Sequence, residues 1–252
     1  MRVRFLAVDG FNLIRRIFEA RRAQSVEDMA DVVSAARNSV QRAIEFHQPT
    51  HAAVVLEAHD RTWRHLLFPG YKAGRSPTPE LLLGHLDDFS EAFATLGVSS
   101  CSVPSYEADD VIGTIASVVA GHGGSVVILS TDRIFLQLVS DKVLVFDHFN
   151  DRRFAPADIE ALLEIRCDQY IDYLALVGDK SNDVKGVPGI GPKSAVELLH
   201  EYDSLNHILS SHDDKKLVQK VQDTHDLAIR CRQLVTLKVD VELGRNLKSF
   251  RL

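Results

Sequence analysis

The sequence predicts an α/β protein, with a mostly parallel sheet flanked by helices over residues 1–155 and a helical subdomain over 156–252. Two observations carry this prediction. Short runs rich in Val, Leu and Ile alternate with amphipathic stretches in the first part, as strands joined by crossover helices do. Beyond Pro156 the strand signal fades and helical periodicity takes over, broken by one turn-rich piece over 178–195.

Taken in order, strands are expected at RVRFLAVD (2–9), HAAVVLEA (51–58), VSSCSV (98–103), SVVILS (125–130) and KVLVFDHF (142–149). Most are short apolar runs, as buried parallel strands are. Helices are expected over 29–46, over 109–123, where a Gly-rich end marks the stop, and over 133–140. The segment from Arg61 to Pro79 is too long and too rich in basic and turn residues for a simple connection, and it reads as an excursion from the sheet. In the second part KSAVELLHEY (193–202) reads as a helix and VTLKVDVEL (235–243) as a late strand.

Composition narrows the class. Of 252 residues, 45% are hydrophobic and 25% charged, ordinary for a globular protein, and 14 Gly with 8 Pro exclude a fibrous or largely disordered chain. The longest apolar runs, FLAV and AAVVL, fall far short of the ~20 residues of a membrane span. The start, MRVRFLAVDG, meets charge and turn residues too soon for a secretory leader. Three cysteines with no CxxC pair argue against a disulfide framework and a thiolate zinc site. These features predict a cytoplasmic protein of enzyme size with no membrane partner. Asp and Glu (35) outnumber Lys and Arg (29), for a formal charge of −6. A nucleic-acid binder ordinarily shows a basic footprint, so the placement of the acids matters more than their sum.

That placement is informative. Asp9 ends the first strand, Glu57 the second, and Asp132 follows the fourth, while Glu107, Asp109 and Asp110 open the helix after the third. The carboxyl ends of parallel strands face one crevice, so these six carboxylates are expected to converge there. Single acids can cap helices or close turns. Capping does not explain acids after four different strands. Carboxylates that close repel one another unless a cation neutralises them, and a hard divalent ion prefers oxygen ligands. A second acidic group, Asp179 and Asp183, flanks the turn GDKSND and can equally be a solvated loop.

The run Gly186-Val187-Pro188-Gly189-Ile190-Gly191-Pro192-Lys193-Ser194 approaches a nucleotide-binding P-loop, but Pro192 stands where that motif needs Lys and removes an amide donor. It reads better as a Gly-rich hairpin between two helices, with Pro192 at the start of the second. Exposed amides and a helix N-terminus at such a turn suit a DNA phosphate. Basic residues lie elsewhere: Arg15 and Arg16 after the first strand, Arg64 and His65 beside Trp63, and Tyr71, Lys72 and Arg75 in the excursion. A cation near a scissile phosphate neutralises developing charge, and a tyrosine there can stack on a base.

In this order VDG, WRH, GYKAGR, SPTPE, YEADDV, STD, GD and GVPGIGPKSA resemble the bacterial 5′-nuclease, or flap endonuclease, family, which includes the 5′–3′ exonuclease domain of DNA polymerase I. The resemblance covers nearly the whole chain. With no polymerase portion following, and NLIRRI after the first strand, the chain is similar to the stand-alone exonuclease IX subgroup. The resemblance implies a PIN-like core, a helical arch at about 61–95, and a helix-3-turn-helix (a helix-hairpin-helix) at about 168–202 that binds duplex DNA and a potassium ion. It implies a monomer acting on 5′-flap or branched DNA in replication or repair, with one or two divalent ions, magnesium or manganese. By position, Asp9, Glu57, Glu107, Asp109, Asp110 and Asp132 match the first metal centre, and Asp179, with Asp183 beside it, a weak second one. Lys72, Arg75, Asp109, Asp110 and Asp132 take the catalytic places. The resemblance implies that backbone carbonyls of Ala175, Leu176, Val184, Gly186 and Gly189 hold the potassium. It places Arg16, Tyr71, Lys72, Arg75, Pro188, Gly189, Ile190, Gly191, Pro192 and Lys193 as expected DNA contacts.

Three departures from the family pattern stand out. Glu57 and Asn182 occupy places where the family usually has Asp, and Ile134 the place of a second acid two residues beyond Asp132, so the second centre has lost two ligands while the first keeps its charge. Two functions follow from that. One is a flap endonuclease with one firm metal site; the other is a structure-specific DNA-binding protein with weakened or lost catalysis.

Overall fold

A computed structural model describes residues 2–58 and 60–252. The first part runs β1 (Arg4–Asp9), α1 (Gly10–Arg21), α2 (Val26–His47), β2 (His51–Val55), α3 (Trp63–Leu67), α4 (Glu80–Leu83), α5 (Leu86–Ala94) and β3 (Ser99–Cys101). It continues through α6 (Ala108–Gly121), β4 (Ser125–Leu129), a 3-10 turn (Arg133–Leu138), β5 (Val143–Asp147) and β6 (Arg152–Phe154). The remainder is helical: α7 (Pro156–Leu163), α8 (Tyr170–Val177), α9 (Pro192–Tyr202), α10 (Leu205–Ser210), α11 (Lys216–Asp223) and α12 (His225–Val235), with short 3-10 turns between some of them.

Two compact units interleave along the chain. The first holds Met1–Thr62, Ser76–Arg153 and Lys238–Leu252; the second holds Trp63–Arg75 and Phe154–Leu237. A single boundary at 155/156 therefore captures only one of the crossings.

The first unit is built on one sheet of order β3-β2-β1-β4-β5-β6, with β1 to β5 parallel. Strand order reverses at β1: the chain builds outward through β2 and β3, then returns to add β4 and β5 on the other side. Such a switch point leaves a crevice at the carboxyl ends of β1 and β4, where open α/β sheets place their ligands. Register keeps those ends level, Asp9 beside Val55 and Val8 beside Leu129.

Local chemistry explains the flanking helices. Ser25 and Asp28 close a reciprocal capping box at the start of α2. The helix then buries Met29, Val32, Ala36, Val40 and Ala43, a three-and-four spacing that makes one apolar face. Helix α6 is apolar nearly all round, and its buried residues run from Ala108 to Val119, as expected of a helix enclosed in a core.

Three expectations are corrected in this unit. The arch predicted at 61–95 is divided: Ser76 onward belongs here, and α5 packs against α2 and β3 with Phe89 and Phe93 fully buried. The segment 235–243 forms no strand, because its amides are taken by side chains of α6: Lys238 N–H donates to Asp110 and Val241 N–H to Thr114. A short edge strand, β6, escaped prediction; three residues, two of them arginine, carry too little apolar pattern to read.

In the second unit α8 packs with α9 and α12. Its core includes Leu174, Leu176, Val187, Ile190, Leu198, Leu199, Val218, Cys231 and Leu234. The expected hairpin joins α8 to α9, and it depends on glycine. Gly186 sits at φ +70, and a Cβ there would lie 2.5 Å from the Gly178 nitrogen. Only glycine lets the two backbones approach so closely.

Candidate metal centre

The sheet delivers Asp9 to the switch-point crevice and holds it there. The residue is 5% exposed; one carboxylate oxygen caps α1 through the Asn12 amide at 3.2 Å. The other accepts from the Ser130 hydroxyl at 2.7 Å. That hydroxyl also accepts from the Asp132 amide at 3.0 Å, so a single serine couples the ends of β1 and β4. Asp132 caps the following 3-10 turn through the Ile134 amide at 2.8 Å. Glu57 reaches the Ala108 amide at 3.3 Å, which attaches it to the N-terminus of α6 between Glu107 and Asp109.

Electrostatics describe the same cluster. Burial pushes the Asp9 carboxyl up to about 7, and repulsion from Asp132 and Glu57 adds to the shift, against the lowering effect of the Ser130 and Asn12 hydrogen bonds. Among the described residues no positive charge figures among the causes that set this shift. This is the state a cation would relieve. Among the described residues no group of three or more His, Cys, Asp or Glu forms a cage able to hold an ion. Magnesium does not require one, since it keeps several waters and takes one or two carboxylates plus phosphate oxygens.

The acids at the start of α6 are held differently from Asp9. Asp110 is fully buried, and one of its oxygens is committed to the Lys238 amide at 2.9 Å, which anchors the C-terminal segment. Glu107 is buried as the residue preceding α6, and Asp109 is half-buried in the first turn of that helix. Ile134 is buried, so its side chain belongs to the core.

Arg16 stays at this edge. Its guanidinium donates to Thr131 Oγ1 at 3.2 Å and lies 5.2 Å from the centre of the Phe149 ring. Arg15 pairs instead with Glu19. Ser130 and Asn12 were not foreseen as site residues. A serine directly after a strand and before Thr-Asp was the available signal for the first.

The remaining candidates lie in the second unit. Asp179 caps its own turn, accepting from Ser181 N–H at 3.0 Å and Ser181 Oγ at 2.6 Å through one oxygen and from Asn182 Nδ2 at 2.6 Å through the other. Asp183 accepts from the Gly74 amide at 2.8 Å, and the Lys72 amide donates to the Asn182 carbonyl at 3.1 Å, so the turn organises the Lys72–Arg75 segment. Lys72 Nζ is 5.3 Å from the Tyr71 ring centre, and Arg75 is exposed.

Two aromatic and basic expectations fail here. Tyr71 is 3% exposed and meets His65 edge to face, so it has no face to offer a base. Arg64 is 1% exposed; it stacks over Trp63 and donates to the carbonyls of Leu234 and Thr236, a structural clasp rather than a phosphate contact.

At the hairpin Pro188, Gly189, Gly191, Pro192 and Lys193 are exposed. Ile190 is buried, which corrects its expected DNA contact to a packing role. Of the proposed potassium carbonyls, Val184 O accepts from Asp179 N–H and Leu176 O from Val187 N–H, each leaving a second lone pair. Ala175, like Leu176, lies in the last turn of α8 and Gly186 in the close approach to Gly178, while Gly189 turns beside Lys220, whose Nζ would lie 3.0 Å from an added Cβ.

The chain matches two domain profiles end to end: the 5′-3′ exonuclease N-terminal resolvase-like domain over residues 4–164 and the 5′-3′ exonuclease C-terminal SAM fold over 165–252. Flap endonuclease Xni of Shewanella sediminis is 41% identical, over 98% of this chain and 97% of that protein. Flap endonuclease Xni of Vibrio vulnificus is 38% identical, over 100% and 97% respectively. A T5 5′-exonuclease structure with bound zinc superposes with a TM-score of 0.81 at 22% identity, covering 93% of this chain and 90% of that one. A T5 flap endonuclease structure with DNA and metal ions gives 0.80 at 23% identity, covering 93% and 89%. These two establish the likeness of fold. No described helix is long and apolar enough to cross a membrane.

Proposed function

This chain belongs to the 5′-3′ exonuclease family, and on that premise we propose that it is a metal-dependent 5′ flap endonuclease hydrolysing DNA phosphodiester bonds at flap or branch junctions in replication or repair. The observation that carries the reading is Asp9, buried at the switch point against Asp132 and Glu57 with its carboxyl raised by burial and their charge. An all-oxygen donor set of this kind suits magnesium or manganese. When bound, such an ion supplies polarisation of the phosphodiester and acidification of water.

The protein's part is positioning. Ser130 and Asn12 fix the Asp9 oxygens, and the Ala108 amide fixes Glu57 next to Asp109. Arg16 offers a guanidinium to the phosphodiester backbone at the same edge. Lys72 and Arg75 are assigned to neutralising charge that develops on the phosphate. In the exposed turn Gly189, Gly191 and Lys193 offer their amides to duplex DNA, and Asp179 remains the weak second metal ligand, with Asp183 in a supporting place.

The direct test incubates the protein with a labelled 5′-flap duplex and magnesium. Junction cleavage that stops on chelation is expected, and no product at any magnesium or manganese concentration would overturn the reading. Asp109→Ala should lower cleavage about 10²-fold or more while junction binding stays within about threefold. Loss of both together would make Asp109 structural.

Potassium at the hairpin has its own test. Replacing potassium by lithium at constant ionic strength is expected to weaken duplex binding, since constant ionic strength removes the general salt effect. Equal affinity in both salts would remove potassium and leave the Lys220 ammonium as the cation at this turn.

A further inference from the structure

We infer that a cavity at the amino edge of the sheet, lined by Arg2, Thr50, His51, Lys248 and Arg251, is a binding site for a phosphate group, remote from the acids around Asp9. The inference goes beyond the flap-nuclease reading and does not depend on it.

The cavity, of about 220 Å³, lies where the chain enters the sheet. Arg2 precedes β1, Thr50 and His51 stand at the start of β2, and Lys248 and Arg251 come from the C-terminal segment, all within the first unit. Asp9 ends β1 at the opposite edge, and the six residues of that strand set the two edges roughly 20 Å apart. The backbone around the cavity is held. Arg251 bridges His51 as an antiparallel pair, and the Leu252 amide donates to the Thr50 carbonyl at 3.2 Å. Buried Phe250 meets Phe5 edge to face at 5.7 Å, which seats the C-terminal segment on the first strand. The His51 ring lies nearly parallel to that of Phe5, with its Nδ1 at 2.8 Å from Thr50 Oγ1.

Three cations line the cavity and no acid does. Among the described residues the Lys248 ammonium and the Arg251 guanidinium make no hydrogen bond or ion pair, and Arg2 engages its Nε alone, with the Gly123 carbonyl at 2.7 Å. Basic neighbours at the same edge behave differently. Arg4 donates twice to the Gln48 carbonyl, at 2.9 and 2.7 Å, and Lys142 donates to the Ala120 carbonyl at 3.1 Å. Burial, and after it the charge of Arg251, hold the His51 imidazole below its usual value. Like charges gathered without a counter-charge repel one another, and an anion relieves them. Two guanidinium groups and an ammonium offer more donors than the two oxygens of a carboxylate can satisfy; a tetrahedral phosphate is the better match. The volume exceeds the ~30 Å³ share of one water several-fold, room for a phosphate and part of the group that carries it. A free phosphate monoester and a phosphodiester of a DNA strand share this chemistry.

The test has two arms that separate those sources, each run on wild type and on a double variant, Lys248→Ala with Arg251→Ala. In the first, NMR follows the His51 imidazole signals as inorganic phosphate, then a nucleoside 5′-monophosphate, is added in chelator at constant ionic strength. In the second, affinity for the 5′-flap duplex is measured across a range of salt. A free ligand shows as wild-type signals that saturate at about 1 mM or below and a double variant at least about tenfold weaker. A strand phosphate shows as flap affinity about tenfold lower in the double variant, with a salt slope reduced by about one to two. Lys142→Ala, at the same edge, should alter neither arm. Both replaced side chains are exposed, so the double variant should melt within about 2 °C of wild type, and a lost signal is not lost folding. Unchanged affinities in both arms overturn the inference, as do equal losses in Lys142→Ala, which would make the effect one of net charge. A wild type that binds phosphate here but never cuts flap DNA overturns the nuclease reading and leaves this site standing.

Discussion

Asp9→Asn is expected to lower flap cleavage by about 10²- to 10³-fold and, in the same protein, to raise the melting temperature measured in a chelator at pH 8. The two effects have opposite signs because one carboxylate serves two purposes. In the metal-free protein Asp9 carries a buried charge facing Asp132 and Glu57. Its carboxyl is near 3.8 when unfolded and about 7 when folded, so the folded state holds the extra proton between those values. The resulting destabilisation is absent below the unfolded value, grows as pH rises, and is complete above 7. Asparagine keeps an acceptor and the shape, and the Ser130 hydroxyl can turn to accept from the new amide. At pH 8 the gain should reach about 5 °C, and it should shrink towards nothing near pH 4. Added magnesium should raise the melting point of wild type more than that of the variant. An Asp9→Asn protein that melts no higher than wild type at pH 8 in chelator would show that the charge is already compensated.

The second large effect concerns the hairpin. Gly186→Ala should destabilise the protein by about 3 kcal/mol or more, because a Cβ at φ +70 is strained and meets backbone at 2.5 Å on the Gly178 side. Loss of duplex binding should accompany it, since the exposed turn is built on that approach. Gly191→Ala is the control: it has φ −102 and open space around its Cβ, so its melting point should move little. Equal melting points for the two variants would show that the turn tolerates the bulk and is not held by the glycine contact.

Much of the architecture can be read from the chain, and particular residues show where reading stops. Asp9 and Asp132 were legible because parallel strands are short, apolar and bounded, so the acid that ends one is visible in the sequence. Gly186 to Lys193 was legible because glycines and a proline at helix boundaries have few other uses. Tyr71 and Arg64 were misread for one shared reason. An aromatic or a cation in a turn-rich segment looks exposed until something distant covers it, and Arg64 is claimed by the Leu234 carbonyl, 170 positions away. The late strand failed in the same manner: its period-two pattern is real, but its amides were already engaged by Asp110 and Thr114.

Residue order alone therefore dictated the alternation of strands and helices, the acids at strand ends and the Gly-rich turn, since each depends on backbone preference over a few neighbours. Folding in three dimensions settled which charges are sequestered and which unit claims residues 63–75. Those outcomes turn on desolvation and on hydrogen bonds between segments far apart in the chain, and no local pattern encodes them.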